Sequence, residues 1–164
     1  MSTRLLAYGV AATVFLLDRV SKAIIQANVS LWDTYVVIPG FFNIVHAENK
    51  GAAFGLFADA TPELRTFFLL GLSLIVLVLV AGALWHPSGG AGGSRWTRLG
   101  LSLVLGGALG NIFDRIARGA VTDFLDFHVG GYHWPAFNVA DSAITTGALL
   151  LLFDLWHTRR KAPA

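Results

Sequence analysis

The chain has 164 residues, of which 55% are hydrophobic and 13% charged, and its mean hydropathy is +0.63. A soluble domain carries roughly 25% charged residues, so this composition indicates a protein surrounded by lipid. The formal net charge of +2 argues against a nucleic-acid-binding face, and the absence of cysteine excludes disulfides, thiol catalysis and thiolate metal sites.

Hydropathy predicts an all-α membrane protein, a bundle of four transmembrane helices in a single domain. The spans lie at about residues 5–25, 67–85, 96–113 and 136–156. The second is uncharged and long enough to cross the roughly 30 Å hydrocarbon core of a bilayer. An N-terminal apolar stretch is also typical of a cleaved signal peptide. Because Asp18, Arg19 and Lys22 fall near its end and no A-x-A site follows, we expect it to be retained as a span.

Basic residues predict the orientation of these spans. Three regions share one side of a four-span protein and carry Arg4, Arg95, Arg98, Arg159, Arg160 and Lys161. The positive-inside rule places that side, and therefore both termini, in the cytoplasm. The bias is imperfect, because other basic residues lie towards the opposite side: Lys50, Arg65, Arg115 and Arg118. The inner aromatic belt is expected to comprise Trp85, Trp96 and Trp156.

Two segments, at about residues 26–63 and 116–135, are expected on the extracytoplasmic side. In the first, Thr34–Ile38 and Phe41–His46 are rich in β-branched and aromatic residues, and Pro39-Gly40 between them is a turn signal. This pattern predicts a small β-hairpin that rests on the outer face of the membrane. The bundle would therefore carry a small extracytoplasmic β-rich cap.

A polar side chain within an apolar span costs free energy, so each such residue is expected to have a structural or functional role. Here they gather at the outer ends of the spans and in the second outer segment: Asp18, Lys22, Asn111, Asp114, Arg115, Asp123, Asn138 and Asp141. Such a common depth suits a site at the boundary between membrane and water. Asp18 and Lys22 are four residues apart and can pair on one helix face. This pair and Asp114–Arg115 serve either to hold helices together or to build the site.

Asp123 and Asp141 differ from the other charged residues, because each has apolar neighbours and neither has a basic partner at helical spacing. Desolvation raises the pKa of a carboxyl group, and a second close carboxylate raises it further. Two such acids can share one proton, so that one accepts a proton from water while the other protonates a carbonyl oxygen. Whether these two carboxylates meet is a question for the structure.

Five stretches carry a resemblance to a known family. They are L-D-R-V-S-K at 17–22, E-N-K-G-A-A-F-G at 48–55, G-G-A-L-G-N-I-F-D-R at 106–115, G-A-V-T-D-F-L-D-F at 119–127 and P-A-F-N-V-A-D-S-A at 135–143. Through these stretches, in this order, the chain resembles lipoprotein signal peptidase (signal peptidase II), a family of intramembrane aspartyl proteases. One departure is Arg19, where the family more often has glutamine.

The resemblance implies that Asp123 and Asp141 are the catalytic pair. It implies roles in lining the site or positioning the substrate for Asn49, Asn111, Arg115 and Asn138, and supporting roles for Asp18, Lys22, Asp114 and Gly51. Residues 49–55 would form a mobile flap, although their composition alone favours a plain flexible loop.

The resemblance also implies a substrate and a location. The substrate is a lipid-modified prolipoprotein, which carries a diacylglyceryl group and is cut before its lipidated cysteine. The reaction needs no cofactor, takes place in the bacterial inner membrane among membrane lipids and is blocked by globomycin. The enzyme is expected to act as a monomer on the extracytoplasmic side.

Two other functions remain open. Asp123, Asp126, His128 and His133 lie close enough in sequence for a metal-dependent membrane hydrolase, although their spacing matches no common zinc motif. Asp126 is otherwise expected to face water or to end a strand. A small transporter could also use intramembrane carboxylates as a proton relay. Transporters often have internal repeats, and the two halves of this chain share no motif.

Overall fold

The computed structural model describes residues 3–51, 61–85 and 94–161. Four helices follow one another along the chain: α1 (Thr3–Asn28), α2 (Pro62–Trp85), α3 (Arg95–Arg118) and α4 (Val139–Lys161). Two strands lie between α1 and α2, and two between α3 and α4: β1 (Thr34–Ile38), β2 (Phe42–Asn49), β3 (Val121–Val129) and β4 (Tyr132–His133). The four predicted helices are therefore present, each extending a few residues beyond at least one of its expected bounds.

Within the described ranges, three helices have the length and apolar composition of a membrane span: Phe67–Trp85, Arg95–Arg118 and Val139–Thr158. Helix α1 has 26 residues, and at 1.5 Å per residue it is long enough to cross a bilayer. Asp18, Arg19 and Lys22 interrupt its apolar stretch. That α1 also spans the membrane stays a prediction. Helix α2 leaves Phe67, Val78 and Leu79 about 70% exposed, as a lipid-facing helix does.

Helix α3 is the centre of the bundle and contacts each of the other three helices. Glycines allow this close packing. A Cβ atom at Gly110 would lie 3.0 Å from the Asp18 carboxyl carbon on α1. A Cβ atom at Gly107 would lie 2.8 Å from the Ile144 side chain on α4. Neighbouring faces of α3 therefore accept α1 and α4 at short distance, which brings their polar residues together.

The strands form an antiparallel sheet in the order β1-β2-β3-β4. The predicted hairpin is confirmed: β1 pairs with β2, and Gly40 in the turn between them has a φ of 75°. The prediction missed β3 and β4, which both lie in the segment at about residues 116–135 that was expected on the extracytoplasmic side. The first four residues of β3 are all buried: Val121, Thr122, Asp123 and Phe124. Because two of them are polar, the hydropathy pattern does not indicate a buried strand here.

Strand β3 is fixed at the end of the bundle where α1 and α3 end and α4 begins. Gly119, with a φ of 73°, ends α3 and turns the chain into β3. Phe124 packs against Ile25 and Val29 near the end of α1. The strand therefore presents its side chains directly over the polar ends of the helices.

Candidate active site

Asp123 and Asp141 come from different elements and lie in one cluster. Asp123 is on β3, and Asp141 is in the first turn of α4. The Asn138 Nδ2 donates to Asp123 Oδ1 at 2.7 Å and also lies 3.4 Å from Asn111 Oδ1. The Asn111 Nδ2 in turn donates to Asp141 Oδ1 at 2.7 Å. Two amide side chains therefore connect the two carboxyl groups.

Asn138 is completely buried, and the start of α4 fixes the orientation of its amide. The Asp141 backbone N–H donates to Asn138 Oδ1 at 2.9 Å, and the Asn138 backbone N–H lies 3.3 Å from Asp141 Oδ2. This reciprocal arrangement is a helix N-cap. Because the amide oxygen is used by the cap, the Asn138 NH₂ group is left to face Asp123.

Asn49, the last residue of β2, makes a second contact with Asp123. Its Nδ2 donates to Asp123 Oδ2 at 3.0 Å, while its Oδ1 accepts the Gly51 backbone N–H at 3.0 Å. Gly51 therefore fixes which way the Asn49 amide points. The rest of the predicted flap, residues 52–55, lies outside the described residues.

The Asp123 carboxyl group has an altered proton affinity. Burial raises the pKa of Asp123 to about 7, and the nearby Asp141 carboxylate acts in the same direction. Hydrogen bonds from Asn49 and Asn138 oppose this rise without cancelling it. A carboxyl group with a pKa near neutrality can both give and accept a proton under physiological conditions.

Lys22 fixes the Asn111 amide. The Lys22 Nζ donates to Asn111 Oδ1 at 3.1 Å, and an ammonium group has no acceptor. The Asn111 oxygen must therefore face Lys22, which directs its NH₂ group to Asp141. Lys22 also pairs with Asp18 at 2.9 Å, as the helical spacing predicts, and with Asp114 at 2.8 Å. All three charged side chains are completely buried.

Arg19 completes this buried group of charges. It pairs with Asp114, and its guanidinium group lies 4.3 Å from the centre of the Phe113 ring. Asp114 faces α1 and contacts Arg19 and Lys22. We call Asp18, Arg19, Lys22 and Asp114 the charge cluster. It contains two acids and two bases, and buried charges are tolerated when they are paired in this way.

The charge cluster also holds the backbone around the two acids. Asp18 Oδ1 accepts the Ala140 backbone N–H at 3.0 Å, next to Asp141, and Asp114 Oδ2 lies 3.4 Å from the Thr122 backbone N–H, next to Asp123. Sequence reasoning did not find Ala140 or Thr122. Both act here through the main chain, so their side chains give no signal.

Arg115 lies at the edge of the site. Its Nη1 is 3.5 Å from the Asn111 backbone oxygen, and its charge interacts with the Asp141 and Asp123 carboxylates. Arg115 and Asn111 line a cavity of about 250 Å³ whose other walls come from α2, α3 and α4: Leu72, Ser73, Val76, Val104, Ala108 and Ile144. The cavity is therefore polar at the end nearest the acids and, apart from Ser73, apolar elsewhere.

The four residues of the metal alternative do not assemble. Asp126 accepts hydrogen bonds from Asn43 and His133, both at 2.8 Å, and His128 stacks on His133. Asp123 is three positions away along the same strand, and such residues point to opposite faces. In the part of the chain that the structure describes, no three His, Asp or Glu side chains form a metal-binding group. The expectation that Asp126 faces water or ends a strand is also wrong, since it is only 6% exposed and lies within β3.

Comparison with known proteins supports one family. A family model described as signal peptidase (SPase) II matches residues 10–157. The lipoprotein signal peptidase of Solibacter usitatus is 53% identical over 156 residues, which cover 95% of this chain and 93% of the relative. That of Desulforapulum autotrophicum is 44% identical over 146 residues, with 89% and 88% covered.

Solved structures agree with this result. A bacterial membrane enzyme that is 32% identical in sequence superposes with a TM-score of 0.82, covering 100% of this chain and 94% of its own. A second, 33% identical, gives a TM-score of 0.77 over 94% of this chain and 93% of its own. The chain belongs to the signal peptidase II family.

Proposed function

We propose that this protein is an intramembrane aspartyl endopeptidase that removes the signal peptide from diacylglyceryl-modified prolipoproteins. The cut falls just before the lipidated cysteine, and the enzyme acts as a monomer in the bacterial inner membrane. Membership of the signal peptidase II family supports the substrate class. The observation that carries the aspartyl mechanism is the connection of Asp123 to Asp141 through Asn138 and Asn111.

In the proposed reaction, Asp123 carries the shared proton and Asp141 is ionised. Asp141 accepts a proton from water as the water oxygen attacks the scissile carbonyl carbon, and Asp123 gives its proton to the carbonyl oxygen. The tetrahedral intermediate then collapses. Its hydroxyl proton returns to Asp123, the C–N bond breaks, and the leaving nitrogen takes the proton held by Asp141. The enzyme is restored, and one water molecule has been consumed.

The surrounding residues position these two acids. Asn49 and Asn138 donate hydrogen bonds to Asp123, and Asn111 donates one to Asp141. Arg115 is placed to stabilise negative charge that develops near both carboxylates. Apart from Ser73, the walls that α2, α3 and α4 give to the cavity beside Arg115 and Asn111 are apolar, which suits a substrate whose signal helix and acyl chains arrive through lipid.

A reconstituted reaction tests this function directly. We expect the purified protein in detergent to cut a lipidated prolipoprotein before its modified cysteine, as mass spectrometry of both products will show. Activity should survive EDTA and be blocked by globomycin, and an unlipidated precursor serves as the control. Complete loss of activity in EDTA, restored by zinc, would contradict the aspartyl mechanism.

The reaction should also depend on pH. Because burial raises the pKa of Asp123 to about 7, its protonated form is present below that pH and is lost above it. We expect kcat/KM to fall about tenfold per pH unit above pH 7, as for the loss of one required proton. Thermal unfolding measured over the same range separates this effect from unfolding. A flat profile up to pH 9 would show that Asp123 is not the acid.

We further propose four spans, including α1, with both termini in the cytoplasm. Arg4 lies 5.9 Å from the Trp85 ring and Arg95 lies 4.7 Å from the Trp96 ring, at the end of the bundle opposite Asp123. This arrangement matches the positive-inside rule. A reporter fused at His128 should be active outside the cytoplasm, and one fused at Ala164 inside it. A cytoplasmic signal at His128 would rule out this topology.

A further inference from the structure

A second cavity lies between α1 and α3, at the end of the bundle far from the two acids. It has a volume of about 280 Å³, and α1 supplies one wall with Thr3, Leu6, Ala7 and Val10. Helix α3 supplies the other with Arg95, Arg98, Leu99 and Ser102. Small-molecule pockets occupy roughly 300–1,000 Å³, so this cavity has room for the polar group of a larger ligand rather than for the whole ligand. Neither the proposed reaction nor the charge cluster uses it.

The charged residues that line this cavity have one sign. Arg95 and Arg98 are basic, and none of the lining residues that the structure describes is an acid. The sequence has no Asp or Glu in residues 1–17 or 64–113, which include this end of α1, α2 and α3. The acid that α4 brings to this end is Asp154, which is buried and accepts a hydrogen bond from Thr97. The cavity is therefore complementary to an anion.

The position of the cavity along the bundle matches the head-group level of a bilayer. Trp85 and Trp96 lie at this end, and tryptophan is enriched at membrane–water interfaces. Apart from the arginines, Thr3 and Ser102, the lining is apolar, and Leu6 and Leu99 are 57% and 38% exposed. A ligand bound here meets basic groups at one end and an open apolar groove, facing the lipid, along its length.

We propose that this cavity binds an anionic phospholipid of the leaflet opposite the candidate active site. Arg95 and Arg98 contact the phosphate, since guanidinium groups form paired, charge-assisted hydrogen bonds with phosphate oxygens. An acyl chain lies along Leu6, Val10 and Leu99. Basic pockets between transmembrane helices bind anionic lipid head groups by this chemistry. Such a lipid joins α1 to α3 and stabilises the bundle independently of the protease reaction.

Lipid-dependent stability and binding of the purified, delipidated protein test this proposal. We expect phosphatidylglycerol to raise the thermal unfolding midpoint and to be retained in native mass spectra, whereas phosphatidylcholine with the same chains should do neither. Each of Arg95→Gln and Arg98→Gln should weaken binding about tenfold, as expected for the loss of a charge-assisted hydrogen bond. Arg118→Gln, at the other end of α3, should have no effect. Equal stabilisation by phosphatidylcholine, or wild-type binding by the double arginine variant, would refute the site.

Two further measurements complete the test. Glycerol phosphate supplies the head group without acyl chains, and we expect no stabilisation from it at the same concentration. A full effect of glycerol phosphate would show a free-phosphate site and overturn the assignment to lipid. Val10→Trp fills the groove and keeps both arginines, so it decides the question if the arginine variants do not fold. Unchanged phosphatidylglycerol binding by Val10→Trp would also overturn the proposal.

Discussion

Replacing either Asp123 or Asp141 by asparagine should lower kcat/KM for a lipidated prolipoprotein by roughly 10³-fold or more. General acid–base catalysis contributes about 10²–10⁴-fold per group, and here each acid depends on the other for its proton. An amide neither accepts a proton from water nor supplies one to the carbonyl oxygen. Cleavage of a defined substrate by purified variants, followed over hours, is the measurement.

The double variant gives a stronger test than either single change. Residues that act as one unit show strongly non-additive effects on rate. We therefore expect Asp123→Asn/Asp141→Asn to be no slower than the slower single variant. If the two losses multiply, the acids act independently and the shared-proton mechanism is wrong.

A loss of activity must be separated from a loss of folding. Both Asp123 oxygens accept amide N–H groups, from Asn49 and Asn138, and an asparagine at this position can accept only one of them. We expect a cost of about 1–3 kcal/mol in the free energy of unfolding, which thermal unfolding will show.

Asp126→Asn is the matched control for this measurement. It changes a buried, hydrogen-bonded acid on the same strand, three residues away, and should retain activity within a few-fold. Strong inactivation of Asp126→Asn would mean that damage to β3, rather than loss of a proton, explains the Asp123 result.

The sequence predicts the helices well because their signal is local. An uncharged run such as Phe67–Trp85 has few alternatives to a helix in lipid, and Pro39-Gly40 marks a turn between two apolar strands. Strand β3 was missed because its signal is not local. Asp123 and Asp126 interrupt its apolar pattern, and each is buried only through partners supplied by other elements.

The site itself was predicted only in part. The depth of the polar residues indicated a common location, and the resemblance to a family supplied roles for Asp123 and Asp141, which stay proposals. The pairing of Arg19 with Asp114 spans 95 positions in the sequence, and that of Lys22 with Asn111 spans 89. No helical spacing connects such residues, so their contacts depend on how α1 packs against α3.

Replacing Lys22 by methionine should cause the second large effect. The substitution removes one of two positive charges from the charge cluster. It takes away the ion-pair partner of Asp18 and leaves Asp114 paired with Arg19, and both acids are completely buried. Removing one partner from a buried ion pair typically costs about 3–5 kcal/mol. We expect a lower thermal unfolding midpoint in detergent and little activity. The Asn111 amide also loses the donor that fixes its orientation.

A compensating change separates these two consequences. Lys22→Met/Asp18→Asn restores the balance of charge, because Asp114 and its partner Arg19 then remain as one acid and one base. We expect this double variant to regain much of the lost stability, since replacing buried charges together is often close to neutral. It should not regain activity, because no ammonium group holds Asn111 Oδ1 away from Asp141. If stability and kcat/KM recover together, Lys22 only holds the helices in place. If stability alone recovers, Lys22 positions Asn111 for the reaction, and the charge cluster belongs to the catalytic apparatus as well as to the fold.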